Sequence, residues 1–151
     1  MDPLSGTASV IAVVTAALQT GIAIHKAVSG IRDAPQQVSR LASTFDDLNS
    51  LLHQLADILT CSPDEQSGDL SKLVDRCVAD INAFKGKLAK LNAAPGERPL
   101  SRTWKRVKKF IHQDEFGGMG LVVRDHITSL KFQLDVLQRW FNSIPPQYIY
   151  Y

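Results

Sequence analysis

Ser9-Val10-Ile11-Ala12-Val13-Val14-Thr15-Ala16-Ala17-Leu18-Gln19-Thr20-Gly21-Ile22-Ala23-Ile24, residues 9–24, decides the fold class. No ionisable side chain stands between Asp2 and His25. The segment lacks the alternation and the turn residues of a strand. Pro3 suits a first helical turn, and good helix formers run on to about Val28. A surface helix carries one apolar stripe, whereas this one is apolar on every side, so protein or lipid must surround it.

Magnitudes place it between the two. The seven Val, Ile and Leu residues from Val10 to Ile24 favour bilayer insertion by roughly 2 to 4 kcal/mol. Desolvating Ser9, Thr15, Gln19 and Thr20 opposes this by a similar order. A secretory signal needs a basic n-region, but Asp2 precedes the run and Lys26 follows it, so a signal peptide is rejected.

Working outward, the remainder also reads as helix. Gly30 and Pro35 mark a boundary, and Asp33-Ala34-Pro35 signals a second helix. Its seam is Val38, Leu41, Phe45, Leu48, Leu52, Leu55 and Leu59, spaced alternately by three and four and widened by Leu51 and Ile58. Cys61 to Gly68 reads as a loop. Asp69 is expected to cap a third helix with Leu70, Leu73, Cys77, Ile81, Phe84, Leu88 and Leu91 as its seam. Ala93 to Pro99 is a second loop.

Ser101 can cap a short fourth helix that turns Trp104, Val107, Phe110 and Ile111 inward and Arg102, Lys105, Arg106, Lys108 and Lys109 outward. Asp114 to Gly120 is expected to break the chain. A last helix from about Leu121 to Asn142 follows, seamed by Val123, Ile127, Leu130, Leu134, Leu137 and Phe141. The fold class is therefore all-α. It is an up-down bundle of four long helices plus a short basic helix, with the apolar N-terminal helix as its most enclosed member. The bundle is assigned to residues 1–144, and the aromatic stretch 145–151 to a tail or the start of a linker.

At 151 residues and 44% hydrophobic composition the chain suits one domain with a single core. A net charge of +2 does not describe a general nucleic-acid binder. Cys61 and Cys77 are too few for a disulfide framework and match no zinc spacing, so free thiols in the cytoplasm are expected. His25, His53, His112 and His126 lie on separate helices without metal-ligand spacing. Gly86-Lys87 is not a phosphate-binding loop, and Gly117-Gly118-Met119-Gly120 follows a basic helix rather than a strand. Asp46-Asp47 and Asp64-Glu65 are adjacent pairs whose members point apart on a helix. The expectation is that the chain is not an enzyme, with no catalytic residue, cofactor or metal.

Two features carry functional information. Ala8, Ala12, Ala16 and Thr20 form a ridge at steps of four, beside Ser5, Ser9, Ala17 and Gly21. Small residues so spaced let helix backbones approach closely, in a soluble bundle or in a bilayer. The basic fourth helix is the second. Such a run ordinarily means a solvated face, and its functional meaning is contact with anionic headgroups.

Met1-Asp2-Pro3-Leu4-Ser5-Gly6, the Ala/Val/Ile run behind it, and Val28-Ser29-Gly30-Ile31-Arg32-Asp33-Ala34-Pro35 leading into a leucine-seamed helix resemble a known family. It is the HeLo-like N-terminal domain of fungal STAND (NOD-like receptor) and ankyrin-type proteins. That domain is related to the fungal HeLo domain and similar to the four-helix bundle of mixed-lineage kinase-like pseudokinases. The resemblance implies a cytoplasmic effector of programmed cell death, heterokaryon incompatibility or innate immunity. Such an effector relocates to a membrane on activation and permeabilises it through the first helix after oligomerisation.

On this expectation Val10, Ile11, Val13, Val14, Leu18, Ile22 and Ile24 insert into lipid. Ala12, Ala16 and Gly21 serve helix association, while Arg102, Lys105, Arg106, Lys108 and Lys109 bind headgroups. The expected partners are anionic lipids, a second copy or another helical domain, and a NOD-like receptor module, but no nucleic acid. Some relatives carry an acid within the inserting helix. Here Asp2 is the only one before Asp33, which favours an apolar helix cluster over a charge-lined pore. The alternative is a non-lytic protein–protein interaction module.

Overall fold

The computed structural model of the protein describes residues 5–61, 67–92 and 103–143. Five helices follow one another: α1 Ser5–Ser29, α2 Gln36–Cys61, α3 Ser67–Asn92, α4 Trp104–Val107 and α5 Gln113–Ser143. The all-α expectation holds, and among the described residues the only bridge is an isolated one between Arg32 and Thr103. The α2 seam folds as its spacing predicts, and the other two do so in most positions. Every α2 seam residue is buried, as are Leu70, Cys77, Ile81, Phe84 and Leu88 of α3 and Val123, Leu130, Leu134 and Leu137 of α5. Leu73, Ile127 and Phe141 are only half-buried, with Val74 buried beside Leu73, and the Leu91 side chain lies outside the described ones. Burying side chains of this size stabilises by about 1.5–3 kcal/mol each, and the apolar stripe rather than intrinsic propensity is what holds the helices.

The four long helices form a closed square. α2 packs on α1 and α5, and α3 also packs on α1 and α5. Chain direction alternates, as in an up-down bundle. Lys87 meets Glu115 and Asp80 meets His126, so α3 and α5 are antiparallel. Gln37 lies beside Gly117 and Leu41 beside Gly120, so α2 and α5 are parallel. The expectation of antiparallel neighbours along the chain fails at one step, because α2 and α3 face each other across the diagonal.

Further expectations need correction. α1 is not the most enclosed helix: 33% of its apolar window is buried, whereas α2 buries ten of its 26 residues. In a square each helix has two neighbours, and the outward side of α1 (Ala12, Thr15, Ala16, Gln19, Ile22 and Ala23) stays exposed. Asp69 is a first-turn residue of α3 rather than its cap, because the helix starts at Ser67.

The largest correction is at Asp114–Gly120, which does not break the chain: α5 starts at Gln113 and runs through all three glycines. Each glycine costs about 1 kcal/mol against alanine in a helix. Burying Phe116 and Met119 at helical spacing offsets this with roughly 3–6 kcal/mol, and Asp114 and Glu115 favour the N-terminus of the helix dipole. The loop expected at Cys61–Gly68 is shorter than its polar composition suggests, because Cys61 ends α2 and Ser67 and Gly68 open α3; residues 62–66, the loop expected at 93–99, the Ser101 cap and the tail lie outside the described residues.

Candidate functional site

The residues singled out by sequence sit in two places, along α1 and at one end of the bundle. Val10–Ser29 is a 20-residue window of mean hydropathy 1.5, long and apolar enough to cross a membrane by length and composition. A buried core helix passes the same test, so side-chain placement matters more. Val10, Val14 and Ile24 are fully buried, and Ile11, Val13 and Leu18 pack partly buried against the core. Ile22 is exposed at 39%. In the bundle, then, most of the expected lipid-facing set faces protein.

The small-residue ridge divides. Ala12 and Ala16 point outward, but Thr20, Ala17 and Gly21 point inward. Each step of four turns about 40° on a helix, so a ridge that begins on the surface winds into the core within two steps. Thr20 Oγ1 there donates to Asn82 Oδ1 of α3 at 3.4 Å. Gly21 lies under Asn49 of α2. A Cβ at Gly21 would come within 2.0 Å of Asn49 Oδ1, so any larger residue requires the Asn49 amide to move aside. That oxygen is buried and has no hydrogen-bond partner among the described residues; an unmet buried acceptor costs about 1–3 kcal/mol. The α1–α2 contact thus contains a defect near the middle of the apolar helix. Sequence reading missed Asn49, although its position four after Phe45 and three before Leu52 puts it on the inward stripe of α2.

The basic segment closes the end of the bundle where α1 and α3 finish and α2 and α5 begin. The Trp104 amide donates to the Arg32 carbonyl at 2.7 Å. The Trp104 ring meets Phe116 edge-on at 5.6 Å, and Phe116 meets Phe84 in the same way. These contacts fasten α4 to the link between α1 and α2. α4 has only four residues. Val107 and Ile111 are buried, but Phe110 is 52% exposed, against the expectation that it turns inward. Phe110 and Ile111 are one residue apart, about 100° on a helix, and Ile111 takes the inward place.

Lys105, Lys108 and Lys109 are exposed, as are Lys26 and Arg32 at the same end of the bundle, and none of the five forms an ion pair among the described residues; Phe110 follows Lys108 and Lys109 directly in the chain. Arg106 is half-buried and already engaged with a partner. Arg102 lies outside the described residues.

No group of three or more His, Cys, Asp or Glu side chains able to hold a metal occurs among the described residues. Cys77, buried in the α3 seam, has its thiol pushed up to about 12, first by burial and then by the charge of Asp80. It is not a nucleophile near neutrality. Cys61 is free and exposed.

No curated protein and no solved structure matches the chain. The family model described as pigment biosynthesis cluster protein PigL N-terminal matches residues 1–120, from α1 through α4 into the start of α5. The chain belongs to that PigL N-terminal family, here an all-α bundle with an apolar first helix.

Proposed function

We propose that this bundle is a HeLo-like effector or signalling domain, of the kind found at the N-terminus of fungal NOD-like receptors. It acts in cell death or incompatibility by permeabilising a membrane through α1 once copies are clustered. The observation that carries this reading is the state of α1. It is long and apolar enough to span a bilayer, and only a third of its window is buried. It also rests on α2 across an unsatisfied Asn49 oxygen.

In this mechanism Lys105, Lys108 and Lys109 dock on anionic headgroups, at roughly 1 kcal/mol each, and Phe110 enters the interface. α1 then swings out about Gly30. Withdrawing Val10, Val14 and Ile24 from the core costs about 5–9 kcal/mol, and lipid returns most of this by keeping the same side chains out of water. The outward Ala12 and Ala16 admit a neighbouring copy's α1 at close range.

Leakage from vesicles of mixed zwitterionic and anionic phospholipid tests the idea with the wild type, Val13→Glu and a chain starting at Gly30. Equal leakage from all three sinks it. A second reading, a non-lytic interaction module, draws on Leu121 and Phe132 of α5. These are 64% and 65% exposed and lie three helical turns apart on one face. It predicts a soluble complex and no cosedimentation with vesicles.

A further inference from the structure

The parallel helices α2 and α5 enclose a groove on the side of the bundle away from α1. Two openings of about 330 and 640 Å³ share Arg40, Thr44 and Arg124 as lining residues. The first has Leu41 and Phe116 in its wall and Gly117, Gly118 and Gly120 along its α5 side. These volumes are of the size that small organic ligands occupy.

Two observations set this groove apart from an accidental crevice. The first concerns the glycines. Gly21 is closely approached by Asn49, but these three have no such neighbour. A Cβ would meet nothing within 4 Å at Gly118, only Gln37 side-chain atoms at 3.8 Å at Gly117, and Leu41 Cδ1 at 3.9 Å at Gly120. None has a positive φ. Packing therefore gives no reason to bear the helix cost of three glycines within four residues, whereas the open wall of the groove depends on their having no side chain. The second concerns charge. Arg40 and Arg124 are exposed, line both openings, and form no ion pair among the described residues. Asp114 and Asp47 line one opening each without reaching either guanidinium.

We infer that the α2–α5 groove binds a small organic acid. Its carboxylate lies between Arg40 and Arg124, and its apolar body lies along the glycine wall against the exposed Leu121. Two guanidinium groups recognise a carboxylate by charge-assisted hydrogen bonds. This site is independent of membrane action by α1.

Decanoate is the probe, followed through the amide resonances of Gly117, Gly118 and Gly120. Decanol supplies the apolar body without charge, and inorganic phosphate the charge without the body. The expected result is saturable decanoate binding centred on these glycines. Affinity should fall by about tenfold or more in the Arg40→Gln/Arg124→Gln variant, and binding should vanish in Gly118→Leu, whose thermal midpoint stays at or above the wild-type value. Decanol and phosphate should each bind more weakly than decanoate. The proposal is overturned if decanoate leaves the glycine amides unmoved, if it binds both variants as it binds the wild type, or if decanol or phosphate binds as tightly.

Discussion

Gly21→Ala, made alone and in an Asn49→Ala background, tests the account of how α1 is held. In a helix interior the change gains about 1 kcal/mol from propensity. Here the new Cβ would lie 2.0 Å from Asn49 Oδ1 and 3.2 Å from its Cγ, so the amide must rotate away between two packed helices. Overpacking of this kind costs about 1–3 kcal/mol, and the single variant is expected to be between neutral and 2 kcal/mol less stable. Asn49→Ala removes both the obstruction and the buried oxygen without a partner. In that background Gly21→Ala should return its full gain of about 1 kcal/mol.

The double variant should therefore exceed the wild type, with a coupling energy of about 1–3 kcal/mol between the two positions. Urea unfolding followed by helical circular dichroism reads all four proteins, and midpoints at unchanged slope are the quantity to compare. Equal effects of Gly21→Ala in both backgrounds would refute the reasoning. If α1 must leave the bundle to act, the double variant should also release vesicle contents more slowly.

Ala16→Glu places a charge on the exposed face of α1 and should alter folding stability by no more than about 0.5 kcal/mol. At mid-bilayer the same charge costs about 2.5–3.5 kcal/mol, so leakage should be lost while the unfolding midpoint stays put. Phe110→Ala with Lys108→Glu and Lys109→Glu should abolish cosedimentation with anionic vesicles and leave the melting temperature unchanged, since all three side chains are exposed. Gly118→Ala should stabilise the fold by about 1 kcal/mol, as its Cβ meets nothing; a loss of stability would show a contact that the structure lacks. Cys77, held up to about 12 from 9.0, keeps its proton in the folded chain where the unfolded chain has lost it. Its contribution to stability is thus intact below pH 9 and falls by about 1.4 kcal/mol per pH unit between there and about 12, where the folded chain also loses the proton. Alkaline titration of stability in Cys77→Ala should show a shallower decline, and at pH 8 a thiol reagent should label Cys61 alone.

Helix seams were legible because they are local. A residue three or four places from its neighbour lies on the same stripe whatever the stripe later touches, and the Leu48–Leu52–Leu55–Leu59 run could face only inward. The basic fourth segment was legible as charge, but the direction of Phe110 was not. It and Ile111 compete for one inward place, and the winner depends on where Trp104 meets Phe116. The glycine-rich start of α5 misled for a related reason. Glycine lowers helix propensity in any window, yet the burial of Phe116 and Met119 that outweighs it is visible only with α2, α3 and α4 in place.

Along Ser9–Ile24, the sequence by itself determined a helix with no charged face, since no ionisable group interrupts it, Gly21 is its one weak helix former, and apolar side chains occur on every side. That such a helix needs enclosure followed from the cost of exposing apolar surface. Only the tertiary structure decided which half receives it. α2 and α3 cover Val10, Val14, Ala17 and Ile24 and leave Ala12, Ala16 and Ala23 to solvent, because four helices closed into a square give each member two neighbours and one open side. The Gly21–Asn49 contact belongs to the same decision. It joins residues 28 positions apart that come together only when the two seams interlock.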